Sequence, residues 1–211
     1  YTLANGAYAT HRVIDAGYVV KLPDNVSSEL AASIMLKGLT VAYLIHDSFK
    51  VEAGHTVLFH AAAGGVGLIA GQWLNALGAT VIGTAGGAEK CALAKANGYH
   101  HVIDYTSTDF EAEVMRLTDG KGVDVTYDSV GNDTMARSLT STRRHGTIIA
   151  FGQSSGAYLD FKISDLAKGS YKLSRPTLFH FVGERDWLVA NSAKLFTAVT
   201  DGTVDISINQ K

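Results

Sequence analysis

The sequence predicts an α/β fold, a doubly wound parallel sheet with helices on both faces, and three observations carry that prediction. From Ala53 onward, short β-branched runs alternate with amphipathic stretches, the pattern of successive βαβ units. A glycine-rich turn, Ala61-Ala62-Ala63-Gly64-Gly65-Val66-Gly67, lies between the first such run and the first amphipathic stretch. The 211 residues also hold 22 glycines against 2 prolines, which suits close backbone approach and positive φ in many loops better than rigid turns.

Each element has a local reason. Residues 1–25 contain short extended pieces such as Tyr18-Val19-Val20-Lys21-Leu22-Pro23, and residues 28–47 read as two helices meeting near Gly38; both precede the sheet and brace it. Val57-Leu58-Phe59 is the first buried strand, and residues 65–77 form the first helix, stopped by Gly78 in the position after the C-cap. Residues 80–84 follow as a strand, 88–97 as a helix closed by Gly98, and 101–104 as a short third strand. Between Thr108 and Thr118, Phe110, Val114 and Leu117 recur at helical spacing while Glu111, Glu113 and Arg116 take the other face, so this is a surface helix. After Gly120 and Gly122, residues 123–128 and 147–152 read as two more strands, separated by a helix through Met135 and Leu139. An irregular stretch runs from Gly156 to Phe181, and a helix over residues 185–200 stops near Gly202.

Composition excludes several functions. With 46% hydrophobic and 18% charged residues the chain is ordinary globular material, and a net charge of −2 offers no field for a polyanion, which argues against a nucleic-acid partner. A single cysteine, Cys91, rules out an internal disulfide framework and a multi-cysteine metal site, and fits a reducing compartment, so a cytoplasmic location is expected. The apolar stretch over residues 61–71 falls short of the roughly 18 residues of a membrane helix, so no membrane association is expected. The chain opens at Tyr1 without a methionine and closes at Asn209-Gln210-Lys211 directly after an apparent strand, which reads as a fragment.

A glycine turn between a strand and a helix lets backbone N–H groups approach a pyrophosphate, with the positive end of the helix dipole behind them. Such a Rossmann-type turn has the pattern G-x-G-x-x-G, and here its positions are Ala62, Gly64 and Gly67, with alanine in place of the first glycine. The plain alternative is a tight strand-to-helix connection. The next unit tests it, because an NAD site usually ends its second strand in an acidic residue that binds the ribose hydroxyls. That position is Ala85, followed by Gly86-Gly87, and Lys90 lies just beyond. Absence of the carboxylate removes the repulsion a 2′-phosphate would meet, and Lys90 offers a cation, so NADP(H) is favoured; a solvated surface lysine is the alternative. Tyr105 reads either as a cover for the adenine side or as a half-buried strand-end aromatic. Ser129-Val130-Gly131 and Phe151-Gly152-Gln153-Ser154-Ser155-Gly156 follow later strands, where open α/β sheets bind ligands, and would meet the nicotinamide half.

With those residues laid out, the chain resembles the zinc-free quinone oxidoreductase branch of the medium-chain dehydrogenase/reductase superfamily, in particular the bacterial NADPH:quinone reductases related to zeta-crystallin. The blocks that carry the resemblance are Met35-Leu36-Lys37-Gly38-Leu39-Thr40, residues 58–68 around the glycine turn, Tyr127-Asp128-Ser129-Val130-Gly131, residues 151–156, and Ser174-Arg175-Pro176-Thr177-Leu178. Alanine at the first glycine position is usual in that branch. The resemblance implies NADPH contacts from Thr40, Gly65, Val66, Gly86, Lys90, Tyr105, Val130 and Phe151, with Lys90 and Tyr105 near the 2′-phosphate end. Together with Gly64, Ser129, Gly152 and Ser154 these are the expected cofactor-binding residues. It further implies that residues 1–25 are the tail of a substrate domain, that residues 26–211 are the nucleotide-binding domain, and that most of the substrate domain lies outside this chain.

Related alcohol dehydrogenases hold a catalytic zinc through cysteine and histidine. Ser33 stands where such a cysteine would be, and the adjacent His100 and His101 should point to opposite faces of a strand, so no metal is expected. Ser154 and Ser155 lack the surroundings of a nucleophile elbow. The expected chemistry is NADPH-dependent reduction of a quinone. An enoyl or alkenal reductase, or a non-catalytic nucleotide- or RNA-binding relative, are the alternatives. The family's mode of pairing implies a homodimer through the nucleotide-binding domain, with the apolar stretch Thr177-Leu178-Phe179-His180-Phe181-Val182 lying there or simply packing in the core.

Overall fold

A computed structural model describes residue 6 and residues 9–208; the two chain ends noted above, Tyr1 and Asn209-Gln210-Lys211, lie outside the described residues. Six parallel strands form one sheet in the order β3-β2-β1-β4-β5-β6, where β1 is Thr56–Phe59, β2 Thr80–Ala85, β3 His101–Asp104, β4 Val123–Asp128, β5 Thr142–Ala150 and β6 Lys172–Ser174. The order reverses between β1 and β4, the switch point at which a doubly wound sheet opens a crevice beyond its strand ends. Helices α1 (Ser28–Ala42), α2 (Gly65–Ala76), α3 (Ala88–Ala96), α4 (Phe110–Leu117), α5 (Met135–Ser141), α6 (Leu178–Val182) and α7 (Arg185–Thr200) surround it.

Alternation along β1 shows why both faces are covered. Val57 and Phe59 join the core against α1, α2 and α7, whereas Leu58 joins Ile82, Ile103, Phe110 and Val114 on the α4 face. Successive strand side chains point to opposite faces, so a run with no polar gap requires helices on both sides. A third cluster, Met135, Leu139, Ile148 and Ala150, seats α5.

Three sequence expectations need correction. Gly38 does not divide two helices: α1 runs through it and continues as a π-helical turn over Tyr43–Ser48. A Cβ at Gly38 would stand 2.4 Å from Leu195, so the glycine serves the close approach of α1 and α7 and not a break. This stretch, Ser28–Ser48, is 21 residues with mean hydropathy 1.4, long and apolar enough by length and composition to cross a membrane, and more than half of it is buried in the fold, as in a core helix. The final long strand starts five residues earlier than read, at Thr142, and ends at Ala150, because the N–H groups of Phe151 and Gly152 both turn to the carbonyl of Asp128, at 2.8 and 3.3 Å. Within the irregular stretch lies β6, three residues at the sheet edge. The segment 177–182 holds the short α6, with Leu178 and Val182 buried and Phe181 stacked on Tyr43 at 4.8 Å.

The piece before α1 is tied to the body. The Arg185 guanidinium donates to the carbonyls of Gly17 (3.1 Å) and Val19 (2.5 Å), and Val20 and Leu22 pack on the main core.

Candidate functional site

A cleft of about 500 Å³ opens at the switch point, over the carboxyl ends of β1, β2 and β4. Its floor is the glycine turn. Ala61 adopts positive φ (54°), Ala62 is fully buried with its N–H on the Thr84 carbonyl at 2.9 Å, and α2 then starts from Gly64. A Cβ at Gly67 would lie 2.5 Å from the carbonyls of both Ala61 and Ala62, so only glycine lets the helix approach the strand end this closely. Alanine fits where the pattern has its first glycine because Gly83 on β2 leaves room for its methyl: a Cβ at Gly83 would lie 2.7 Å from that of Ala62.

The first amides of α2 have no intrahelical acceptor, and the N-cap Gly64 brings no side chain to them. Other helices differ: the Ser27 hydroxyl caps α1, and Asp109 accepts from Glu111 and Ala112 at the start of α4. An uncapped N-terminus facing a cleft is a ready anion site. Lys37, an exposed residue of α1, lies across this end: a Cβ at Gly65 would be 2.7–2.9 Å from the last carbons and the Nζ of its side chain. A cation beside the positive end of a helix is a like-sign pair that an anion would relieve.

At the far side, α3 also starts from a bare glycine, Gly87 at φ 87°. The Asp104 carboxylate, at the end of β3, accepts from the Gly87 N–H (3.0 Å) and from the Thr106 N–H and hydroxyl (3.0 and 2.6 Å), and these bonds hold its pKa below the ordinary carboxylate value, the Gly87 bond most. This acid therefore organises the turn. Tyr105 lies against Gly86, where a Cβ would come within 2.8 Å of its hydroxyl, and Lys90 lines the same wall.

The two later turns are laced to each other. The N–H of Ser154 donates to the Ser129 carbonyl (3.1 Å), that of Ser155 to the Val130 carbonyl (2.8 Å), and a Cβ at Gly152 would sit 2.6 Å from the Ser129 carbonyl. Of the residues expected from sequence, Gly64, Gly86, Lys90, Tyr105, Val130 and Ser154 line the cleft together. The others stand behind it or beside it. Gly65 and Val66 begin α2; Ser129 and Gly152 form the laced turns; Phe151 packs on Phe59 at 5.6 Å; and the Thr40 hydroxyl donates back to the Leu36 carbonyl of its own helix at 2.8 Å.

Sequence reasoning missed five lining residues that carry charge or hydrogen-bonding capacity: His60, Thr84, Asp133, Thr134 and Arg137. The Arg137 guanidinium lies 4.2 Å above the Phe110 ring and 3.6 Å from the Asp109 carboxylate. Nothing in the local pattern of residues 134–141 separates this arginine from a solvated one, because its partners come from α4. Lys37 was inside a block quoted for the resemblance, but only the approach of α1 to α2 gives it a role.

Among the described residues no three of His, Cys, Asp and Glu gather. The Cys91 thiol faces the Ala85 carbonyl at 3.9 Å with its pKa raised, by burial first and then by Asp104, and the His100 ring accepts from the Val81 N–H at 3.0 Å.

Comparison with known proteins extends this geometry. Residues 65–188 match the family described as zinc-binding dehydrogenase. The chain is 42% identical to a Pseudomonas aeruginosa quinone oxidoreductase over 98% of its own length and 64% of the relative's, and 42% identical to a Burkholderia 2-haloacrylate reductase over 96% and 62%. It superposes with a TM-score of 0.87 on the crystal structure of Escherichia coli quinone oxidoreductase complexed with NADPH, at 42% identity, covering 90% of this chain and 58% of that one. The chain thus spans less than two thirds of the proteins it resembles.

Proposed function

The chain belongs to the zinc-binding dehydrogenase family, and from that premise we propose that it is the NADP(H)-binding domain of a zinc-independent oxidoreductase that reduces quinones with NADPH. The observation that carries the reading is the bare N-terminus of α2 opening on a cleft whose far wall offers Lys90 and Tyr105 where an NAD site would have an acid. When bound, the dinucleotide supplies the reducing equivalents. The amides of Gly65 and Val66 hold the pyrophosphate with Lys37 beside them, and Gly64, whose N–H is taken by the Ala61 carbonyl at 2.9 Å, lines the turn they open from. Lys90 and Tyr105 hold the 2′-phosphate end under Gly86. Ser129, Val130, Phe151, Gly152 and Ser154 shape the wall for the nicotinamide half, and Thr40 closes it from α1.

Residues 26–211 form this domain in the proposal, and residues 1–25 are the tail of a substrate domain that completes the cleft. Quinone and haloacrylate reduction are both named among relatives of equal identity, so reduction of an activated alkene is the second reading. An enzyme of full family length, assayed with quinones and with enones, separates the two. The outer edge of β6 supports a homodimer that continues the sheet, since an open edge strand seeks a partner. The acidic balance supports a protein without a nucleic-acid partner, the single cysteine supports a reducing, cytoplasmic compartment, and the burial of more than half of Ser28–Ser48 in the fold supports a protein without a membrane partner.

The direct test is titration of this chain with NADPH and NADH, and of Lys90→Ala with both. NADPH should bind more tightly, and the substitution should weaken NADPH by about tenfold or more, the size of a lost charged hydrogen bond, while sparing NADH. Equal affinity for the two nucleotides would sink the NADPH assignment.

A further inference from the structure

From the inner wall of the cleft into the core runs a series of buried polar side chains that the cofactor reading does not use. His60, Thr84, Asp128 and Ser138 are each no more than 2% exposed. The His60 Nδ1 is 2.8 Å from the Thr84 hydroxyl and its Nε2 is 3.0 Å from the Ser138 hydroxyl. Ser138 Oγ lies 2.6 Å from Asp128 Oδ2, and Asp128 also accepts from the N–H groups of Val130 (2.8 Å) and Gly131 (2.9 Å) and from the Thr134 hydroxyl.

For a neutral ring, counting protons fixes the direction of every bond. The carboxylate of Asp128 has only lone pairs to offer, so the single Ser138 hydrogen is committed to it. Ser138 Oγ must then accept from His60, which places the ring proton on Nε2. The bare Nδ1 accepts from the Thr84 hydroxyl. All donors run one way, from β2 through β1 and α5 to β4.

We infer that His60 is a positioning residue for the cofactor cleft, a neutral Nε2–H imidazole that clamps three strand ends together so that their following turns face one ligand. His60 immediately precedes the glycine turn, Thr84 precedes Ala85 and Gly86, and Asp128 precedes Ser129 and Val130; each of those turns contributes to the cleft. The clamp also seats α5, and with it Arg137. The inference rests on reading the cleft as a dinucleotide site, though the clamp itself does not.

The surroundings keep the ring neutral. Phe110 from α4 meets it edge-on at 5.0 Å. The charged groups that act on it are Asp128 from β4 and Arg137 from α5; burial lowers its pKa most, Asp128 opposes that, and Arg137 adds to it.

Two measurements decide the matter. Long-range proton–nitrogen spectra of this chain, with the His60 signals assigned by their loss in His60→Gln, should show the proton on Nε2 and an unchanged pattern from pH 8 to pH 6. A proton on Nδ1, or titration at the ordinary histidine value, overturns the clamp whether or not nucleotide binds. NADPH affinity should fall about five- to tenfold in Thr84→Val and in Ser138→Ala, with less than the product of the two losses in the double variant, because both cut one chain of bonds. His60→Gln, which keeps an acceptor and a donor, should stay within about threefold of the parent, whereas His60→Phe should not. Unchanged NADPH affinity in Thr84→Val and Ser138→Ala overturns the positioning role. If the parent chain binds no NADPH, the proposed function and the positioning role fall together, and the spectra still decide the clamp.

Discussion

The turns after β1 and after β4 have similar raw material, glycine and small residues between a strand and a helix, but they dispose of their amides in opposite ways. After β4, the Asp128 carboxylate takes the N–H groups of Val130 and Gly131 and the hydroxyls of Thr134 and Ser138. After β1, α2 begins from Gly64 with no side-chain acceptor. One turn is satisfied from within and holds its shape in any state. The other leaves donors for something from outside. The difference teaches where to look for function in this fold: at the unsatisfied turn, supported by the satisfied one.

Removing the inner acceptor should give the largest effect. Asp128→Ala would strand four donors, two buried and two partly buried, each costing up to about 1–3 kcal/mol if nothing replaces the carboxylate, and some of that is recovered as the two hydroxyls rotate. A loss of about 4 kcal/mol is expected, which for a chain of this size lowers Tm by on the order of 10 °C. Thermal unfolding followed by circular dichroism reads it. A Tm within a degree or two of the parent would mean that the two turns do not differ as described.

The same buried network sets a pH dependence. Burial lowers the His60 pKa below the ordinary value of 6.5, so between the folded and unfolded values the unfolded chain binds more protons than the folded one. The stability is present in full above about pH 6.5 and is lost as pH falls, at up to about 1.4 kcal/mol for each pH unit. His46, lowered by burial and then by Lys194, contributes in the same direction. Melting curves from pH 7 to pH 5 should therefore fall less steeply in His60→Gln without becoming flat. An unaltered slope would show that His60 does not remain neutral in the folded chain.

How much of this was legible in the sequence follows from the range of the forces involved. The strands at residues 123–128 and 101–104 were read at their observed bounds, because a buried parallel strand writes itself as a short apolar run between glycine or polar stops. Gly64, Gly67 and the helix start were legible for the same local reason. Gly38 was misread because its purpose is a contact with Leu195, more than 150 positions away, and a glycine that admits a neighbour looks like one that ends a helix. Strand β6 was invisible because three edge residues, one exposed and two half-buried, hold no period. In the site, Lys90 and Tyr105 could be found by counting from the glycine turn. His60, Arg137 and Lys37 could not, since each acquires its role from a partner on another element.

Two smaller substitutions probe the unsatisfied turn without touching the satisfied one. In Gly65→Val the atoms nearest the new Cβ belong to the flexible end of Lys37, so the fold should tolerate it, yet the side chain would stand over the free amides. NADPH affinity should fall about tenfold, or 1.4 kcal/mol, with Tm nearly unchanged. A fall in Tm to match would mark Gly65 as a packing residue instead. Lys37→Ala should do less, because an exposed ammonium contributes little to an ion pair in water, typically under about 1 kcal/mol. We expect a three- to fivefold loss, equal for NADPH and NADH, since a cation at the start of α2 meets the pyrophosphate common to both. That equality separates it from Lys90, whose loss should fall on NADPH alone. It should also shrink as salt is raised, which screens exposed charges. A loss confined to NADPH would move Lys37 to the 2′-phosphate end and redraw the cleft.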